Sequence, residues 1–195
     1  MNEIKKIATG KNVYLREYQA SDTNLVKQWF QNLELASYSF GITTTDENLQ
    51  KIVDAFVAEV AQTPQCTITI IDNETNEPVG FIRTTYIFFP APHITIGIML
   101  GDLNNCGKSF GYEALMLVIN YLFNTKKILY IELDTAVFNE RALRCFQKCG
   151  FRTIKNFTET EYVTKVKTYK TLFRITRKDF MPKYEEYIKK LQEKV

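Results

Sequence analysis

Asn104-Asn-Cys-Gly-Lys-Ser-Phe-Gly-Tyr-Glu-Ala114 separates two kinds of sequence in this 195-residue chain. Before it, His93–Leu100 alternates apolar and small residues, as a half-buried strand does. After it, Ala114, Leu117, Val118, Tyr121 and Leu122 recur at helical spacing. The segment therefore predicts a strand, a loop and a helix opened by Ser109. Gly107 and Gly111 permit close backbone approach, and the amides at a helix start attract anions. Lys108 adds a cation beside them. Phosphate or pyrophosphate is the natural ligand for such a loop, and the bare alternative is a tight turn. G-x-G-x-x-G is absent, and Gly107-Lys108-Ser109 lacks the upstream glycine of a Walker loop.

Working outward, the N-terminal half reads as strands and two helices. Val13–Glu17 alternates as a first strand. Ser21 or Asp22 can cap a helix striped by Val26, Trp29, Phe30 and Leu33. Thr44-x-x-Glu47 has the form of a capping box before Leu49, Ile52, Val53, Phe56 and Val60. Thr67–Ile71 and Val79–Tyr86 form a hairpin across the turn-rich residues 72–78. Thr84–Gly101 carries no charged side chain, but Pro90 and Pro92 break it, so it predicts two strands and no membrane span.

Beyond the loop, Leu129–Asp134 is a short strand. Asn139 starts a helix striped by Ala142, Cys145, Phe146 and Cys149 and closed by Gly150. Phe151–Val163 and Val166–Thr176 are strand candidates, and Lys183–Lys194 is a charged helix. Antiparallel strands followed by a strand-helix-strand-helix unit imply an α+β sheet with one parallel crossover.

Composition narrows the classes. At 45% apolar and 24% charged residues, the chain is neither disordered nor collagen-like. The net charge of +3 does not point to nucleic acid, although residues 152–195 hold 12 Lys+Arg against 6 Asp+Glu. Cys66, Cys106, Cys145 and Cys149 form no C-x-x-C pair, and one histidine does not complete a zinc set, so no metal is expected. Thiols of this kind fit a reducing cytoplasm.

The loop and the segment Asn139-Glu-Arg-Ala-Leu-Arg-Cys-Phe-Gln-Lys-Cys-Gly-Phe151 together resemble the GNAT superfamily of acyl-coenzyme A N-acyltransferases. The first is similar to its pyrophosphate-binding pattern (Q/R)-x-x-G-x-(G/A). The second is similar to its N-x-R-A-x-x-x-Y-x-K-x-G-F helix, about 30 residues on. Leu15-Arg16 followed by Asp22 and Leu25–Trp29 resembles the branch that acetylates ribosomal-protein N-termini, with related antibiotic- and polyamine-acetylating enzymes. The resemblance implies a mixed, mostly antiparallel sheet of about seven strands, splayed in the middle and flanked by helices. It implies a domain over residues 1–180, with residues 181–195 as an appended helix. Acetyl-coenzyme A would be the co-substrate, held by Ile98, Met99, Leu100, Cys106, Gly107, Lys108, Ser109, Phe110, Gly111, Asn139 and Phe146. Its pantetheine would lie between His93–Leu100 and Leu129–Asp134.

Four positions depart from the family pattern: Cys106 stands at its Q/R position and Ser109 at its central glycine, and two more bear on catalysis. Thr95 stands where many members carry an acidic general base, and Phe146 where many carry a tyrosine acid. His93, two residues before Thr95 and on the same strand face, is the candidate proton relay. Orientation of amine and thioester alone contributes several kcal/mol, and an acid or base adds a factor of roughly a hundred to ten thousand. At neutral pH roughly one lysine amine in 2,500 is unprotonated, against roughly an eighth of α-amines. The expected partner is thus a low-pKa primary amine, on a peptide N-terminus or a small molecule. A homodimer fits the family, and no membrane or nucleic-acid partner is expected. The alternative is a degenerate coenzyme A-binding protein without turnover.

Overall fold

In the computed structural model, described over residues 5–40, 46–105, 107–160 and 165–193, one eight-stranded sheet runs through the molecule. Its strands are β1 Lys6–Thr9, β2 Val13–Glu17, β3 Thr67–Asp72, β4 Pro78–Ile87, β5 His93–Leu100, β6 Tyr130–Ala136, β7 Arg152–Thr160 and β8 Lys167–Thr176. The spatial order is β1-β2-β3-β4-β5-β6-β8-β7, open at both ends. The eighth strand, β1, has no alternation of its own. It exists because Gly10–Asn12 turns it back along β2.

Every neighbouring pair is antiparallel except β5 and β6. These two pair only at His93 with Tyr130, Ile94 with Ile131 and Thr95 with Glu132. Beyond Thr95 the strands part, although β5 continues to Leu100 and β6 to Ala136. The expected splay is therefore the place where a parallel ladder stops after three residues.

Among the described residues, six α-helices cover the two faces: α1 Asp22–Trp29, α2 Leu33–Phe40, α3 Asp46–Gln62, α4 Phe110–Thr125, α5 Glu140–Cys149 and α6 Arg177–Gln192. On one face, α4 supplies Leu115, Met116, Val118 and Ile119 to a core shared with Ile82, Ile94, Ile131 and Phe173. A helix apolar on nearly all sides needs cover on nearly all sides, and here Phe146 of α5 and Phe180 and Tyr187 of α6 complete it. The terminal helix begins at Arg177, six residues before the charged stretch, because Thr176 caps it by accepting from the Asp179 amide. On the other face, Val26, Phe30, Val53 and Val60 pack with Phe81 and Met99.

The single N-terminal helix expected across Asp22–Leu33 is two helices. Turn hydrogen bonds at Gln31 and Asn32 end the first, and Asn32 Oδ1 then accepts from Leu35 N at 3.1 Å, which caps the second. Leu33 consequently lies exposed. Ser21 makes no side-chain cap. Asp22 instead turns inward, where Arg16 donates to it at 2.7 and 2.8 Å, Thr69 Oγ1 at 2.8 Å and Gln19 N at 3.0 Å. The capping box at Thr44 lies outside the described residues.

Candidate functional site

The loop before α4 folds through two left-handed residues, Gly107 at φ 86° and Ser109 at φ 67°. Serine adopts that conformation at a cost of about 1–3 kcal/mol, so the local fold imposes it. The Ser109 side chain makes no capping bond, while its carbonyl accepts from Glu113 N at 2.9 Å. That is the first helical bond, so the amides of Phe110, Gly111 and Tyr112 precede it and are left for a ligand. A Cβ on Gly111 would meet only Leu100 Cδ1, at 3.8 Å, and one on Gly107 would meet nothing within 4 Å.

These amides open on a cleft of about 340 Å³ between the parted ends of β5 and the helices α4 and α5. Ile98, Met99, Leu100, Gly107, Ser109, Phe110, Gly111, Asn139 and Phe146 all line it. Lys108 does not. Its Nζ lies 3.3 Å from Asn105 Oδ1 and 5.8 Å from the Phe110 ring centre. Cys106 lies outside the described residues. Asn139 caps α5 by accepting from Ala142 N at 3.2 Å, which leaves its side-chain amide N–H groups available. Phe146 is held edge-on to Phe173 at 5.8 Å and tilted against Phe151 at 6.2 Å. It gives the cleft a carbon surface where a tyrosine would give a hydroxyl.

His93 and Thr95 sit together at the foot of the splay but do not line the cleft. The His93 ring is 5% exposed and stacked on Tyr130 at 4.5 Å. Nδ1 lies 2.8 Å from Ala91 O, and Nε2 lies 3.6 Å from Glu132 Oε2. Glu132 is in turn gripped at Oε1 by Arg174 Nε and Nη2, at 2.9 and 2.7 Å. Both imidazole nitrogens therefore face protein oxygens. Thr95 stands directly opposite Glu132 in the parallel register, so a carboxylate is present one strand away from the position that lacks it.

Other lining residues were not picked out from the sequence. Tyr38 and Leu35 of α2 reach the cleft, from a helix whose existence depends on the break at residues 30–32. Arg141, Arg144 and Lys148 line it from α5. Their spacing of three and four was a readable cationic stripe, although the apolar stripe of the same helix is the stronger pattern. Arg141 lies 5.5 Å from the Tyr38 ring, and Lys148 lies 4.3 Å from the Tyr112 ring. Burial, with the nearby Cys149 and Glu186, pushes the Tyr112 phenol up to about 12, so it stays neutral. The Cys145 thiol is held low by a hydrogen bond from Cys149 and by Lys148, against the effect of burial.

The sheet thus parts at the parallel pair β5–β6, and helix-start residues of α4 and cations of α5 line the gap. Residues 12–152 match the acetyltransferase (GNAT) domain family, and the chain belongs to it. Among relatives, an N-acetyltransferase 9-like protein of Nematostella vectensis is 25% identical over 80% of this chain and 82% of its own. The uncharacterized protein MJ1062 of Methanocaldococcus jannaschii is 23% identical over 83% of this chain. Aminoglycoside N(6')-acetyltransferase type 1 of Klebsiella pneumoniae is 32% identical over 27% of it. The chain spans only 32% and 26% of the lengths of these last two.

Solved structures share the fold at low identity. A GCN5-related N-acetyltransferase of Brucella melitensis superposes with a TM-score of 0.74 at 18% identity, over 97% of this chain and 86% of that one. Spermidine N-acetyltransferase of Vibrio cholerae, in complex with CoA and spermine, gives 0.68 at 16%, over 88% and 99%. Ribosomal-protein-S5-alanine acetyltransferase of Vibrio fischeri gives 0.68 at 15%, over 89% and 98%.

Proposed function

We propose that this protein transfers the acetyl group of acetyl-coenzyme A to a primary amine by direct attack within a ternary complex. Acetyl-coenzyme A would supply an activated thioester. Family membership supports the reaction class. The observation that carries the cofactor assignment is the start of α4, with three amides that precede the Ser109–Glu113 helical bond, beside a Gly111 that leaves room for a bulky anion. Arg141, Arg144 and Lys148 would neutralise further phosphate charge, and Asn139 would hold the amide-bearing arm.

The acceptor follows from what the cleft omits. Phe146 offers no proton to the departing thiolate, which at a pKa of about 8.5 is a fair leaving group without one. His93 is engaged on both nitrogens. With neither acid nor base at the usual places, an amine of low pKa, on a peptide N-terminus or a small molecule, reacts more readily than lysine. A cytoplasmic setting and a homodimer are part of the same reading. Thr95 and Phe146 also favour a second reading, a coenzyme A-binding protein without turnover.

Gly111→Asp tests the cofactor site. Coenzyme A should raise the melting temperature of the wild type by mass action and leave that of the variant unmoved. Equal affinity in both, with the fold intact, would remove the assignment. Free-thiol release from acetyl-coenzyme A over a panel of peptides, aminoglycosides and polyamines separates the two readings. Silence across the panel with coenzyme A bound selects the binder.

A further inference from the structure

The end of the molecule remote from the loop before α4 carries an apolar tip. The β4–β5 turn presents Phe88 at 79% exposure and Phe89 at 86%, with Tyr86 at 37% and Leu129 of the α4–β6 connection at 61%. Tyr86 stacks near Phe88 at 4.6 Å and donates through its hydroxyl to Lys127 O at 3.1 Å. Leu129 N donates to Pro92 O at 2.9 Å. The turn and the connection are thus one surface. Nothing in the proposed transfer reaction uses it.

Part of the backbone of this tip is already satisfied within the protein. Pro90 and Pro92 have no amide hydrogen. The Ala91 and Pro92 carbonyls face His93 Nδ1 and Leu129 N. Backbone built this way loses little when water is removed, which suits an apolar medium. Around the tip the charge has one sign. Lys126, Lys127, Arg177 and Lys178 are all exposed, and Arg177 is fixed there by bonds to Asn124 Oδ1 and Phe123 O. Residues 84–101 and 118–131 contain no Asp or Glu. The nearest carboxylates along the flanking chain, Glu132 of β6 and Asp179 of α6, are held by Arg174 and Arg152.

We infer that this tip docks the protein peripherally on an anionic lipid surface, with Phe88 and Phe89 entering the headgroup boundary and the four cations meeting lipid phosphates and carboxylates. No helix among the described residues is long and apolar enough to cross a membrane, and this contact requires none. A nucleic acid would also meet the cations, but the aliphatic Leu129 beside Phe88 and Phe89 offers bases nothing to stack on and favours acyl chains.

Flotation with vesicles tests it, comparing phosphatidylcholine alone with phosphatidylcholine plus phosphatidylserine. The wild type should float with the anionic vesicles at low salt and release as salt rises. Phe88→Ser/Phe89→Ser and Lys126→Glu/Lys127→Glu should each lose at least tenfold of that partitioning, with melting temperature and coenzyme A affinity unchanged. Phe88→Trp should shift its emission to the blue on those vesicles, a readout that does not need a polar tip to fold. Failure of the folded wild type to float, or undiminished flotation of the serine variant, overturns the proposal. So does a wild-type dimer, or oligonucleotide binding, that the serine variant abolishes, since either assigns the tip to another occupant.

Discussion

Glu132 and Thr95 face each other across the last rung of the parallel ladder, and His93 closes the ladder's first rung. The sequence predicts that His93 and Thr95 share a face. It does not reveal Glu132 beside them, because pairing between residues 37 apart in sequence has no local signature. That neighbour changes what His93 does. With Nδ1 at Ala91 O and Nε2 towards Glu132, the imidazole ties the β4–β5 turn to β6. His93→Gln should therefore lower the melting temperature while leaving turnover within about threefold, well short of the hundredfold cost of losing a base. The wild-type rate should rise tenfold per pH unit until the acceptor's own pKa. A profile with a break near pH 6.5 that vanishes in His93→Gln would instead make His93 the relay.

At the scale of elements, α4 and α5 were legible almost to the residue, because each carries both a periodic stripe and punctuation at its ends. Ser109 and Gly150 mark two of those ends, both in left-handed conformation. Less legible were β1, the break between α1 and α2, and the start of α6. Each depends on partners far away in sequence. Pro182, which reads as a helix breaker, sits in the second turn of α6, where it forgoes a single helical hydrogen bond, the one to the Lys178 carbonyl. Asn139 joins an element to the cleft. Its carbonyl oxygen caps α5, and its amide hydrogens remain for a ligand. Asn139→Ala should cost about 1 kcal/mol of stability and also weaken coenzyme A binding. Asn139→Asp keeps an oxygen cap and loses the donor, so thermal stability should persist while affinity falls. If both variants bind coenzyme A like the wild type, Asn139 is a cap alone.

Across the whole molecule, one buried pair fixes the N-terminal helices to the sheet. Arg16 and Asp22 are both buried, and their fork-to-fork bonds join β2 to α1 while Thr69 brings in β3. Burial alone would raise the Asp22 carboxyl. The bonds from Arg16, Gln19 N and Thr69 outweigh it and hold the group below its ordinary value. A carboxyl depressed in the folded state adds stability that is complete above the unfolded pKa of about 3.9 and disappears as pH falls through the folded value. Denaturant titrations should accordingly show wild-type stability falling below about pH 4 more steeply than that of Asp22→Asn. At neutral pH, Arg16→Met should cost about 3–5 kcal/mol by stranding the Asp22 charge. A stability curve that is flat between pH 5 and 3 would contradict this role.

The three-rung seam between β5 and β6 also says how the molecule divides. Five antiparallel strands stand on one side and three on the other. Little backbone bonding crosses between them, so their union rests on side chains of α4 wedged against both halves. Water and solute therefore have a built-in line of entry that severs no rung of the ladder. Opening along that line is expected to be a distinct sub-global excursion of the sheet, separate from fraying at its edges.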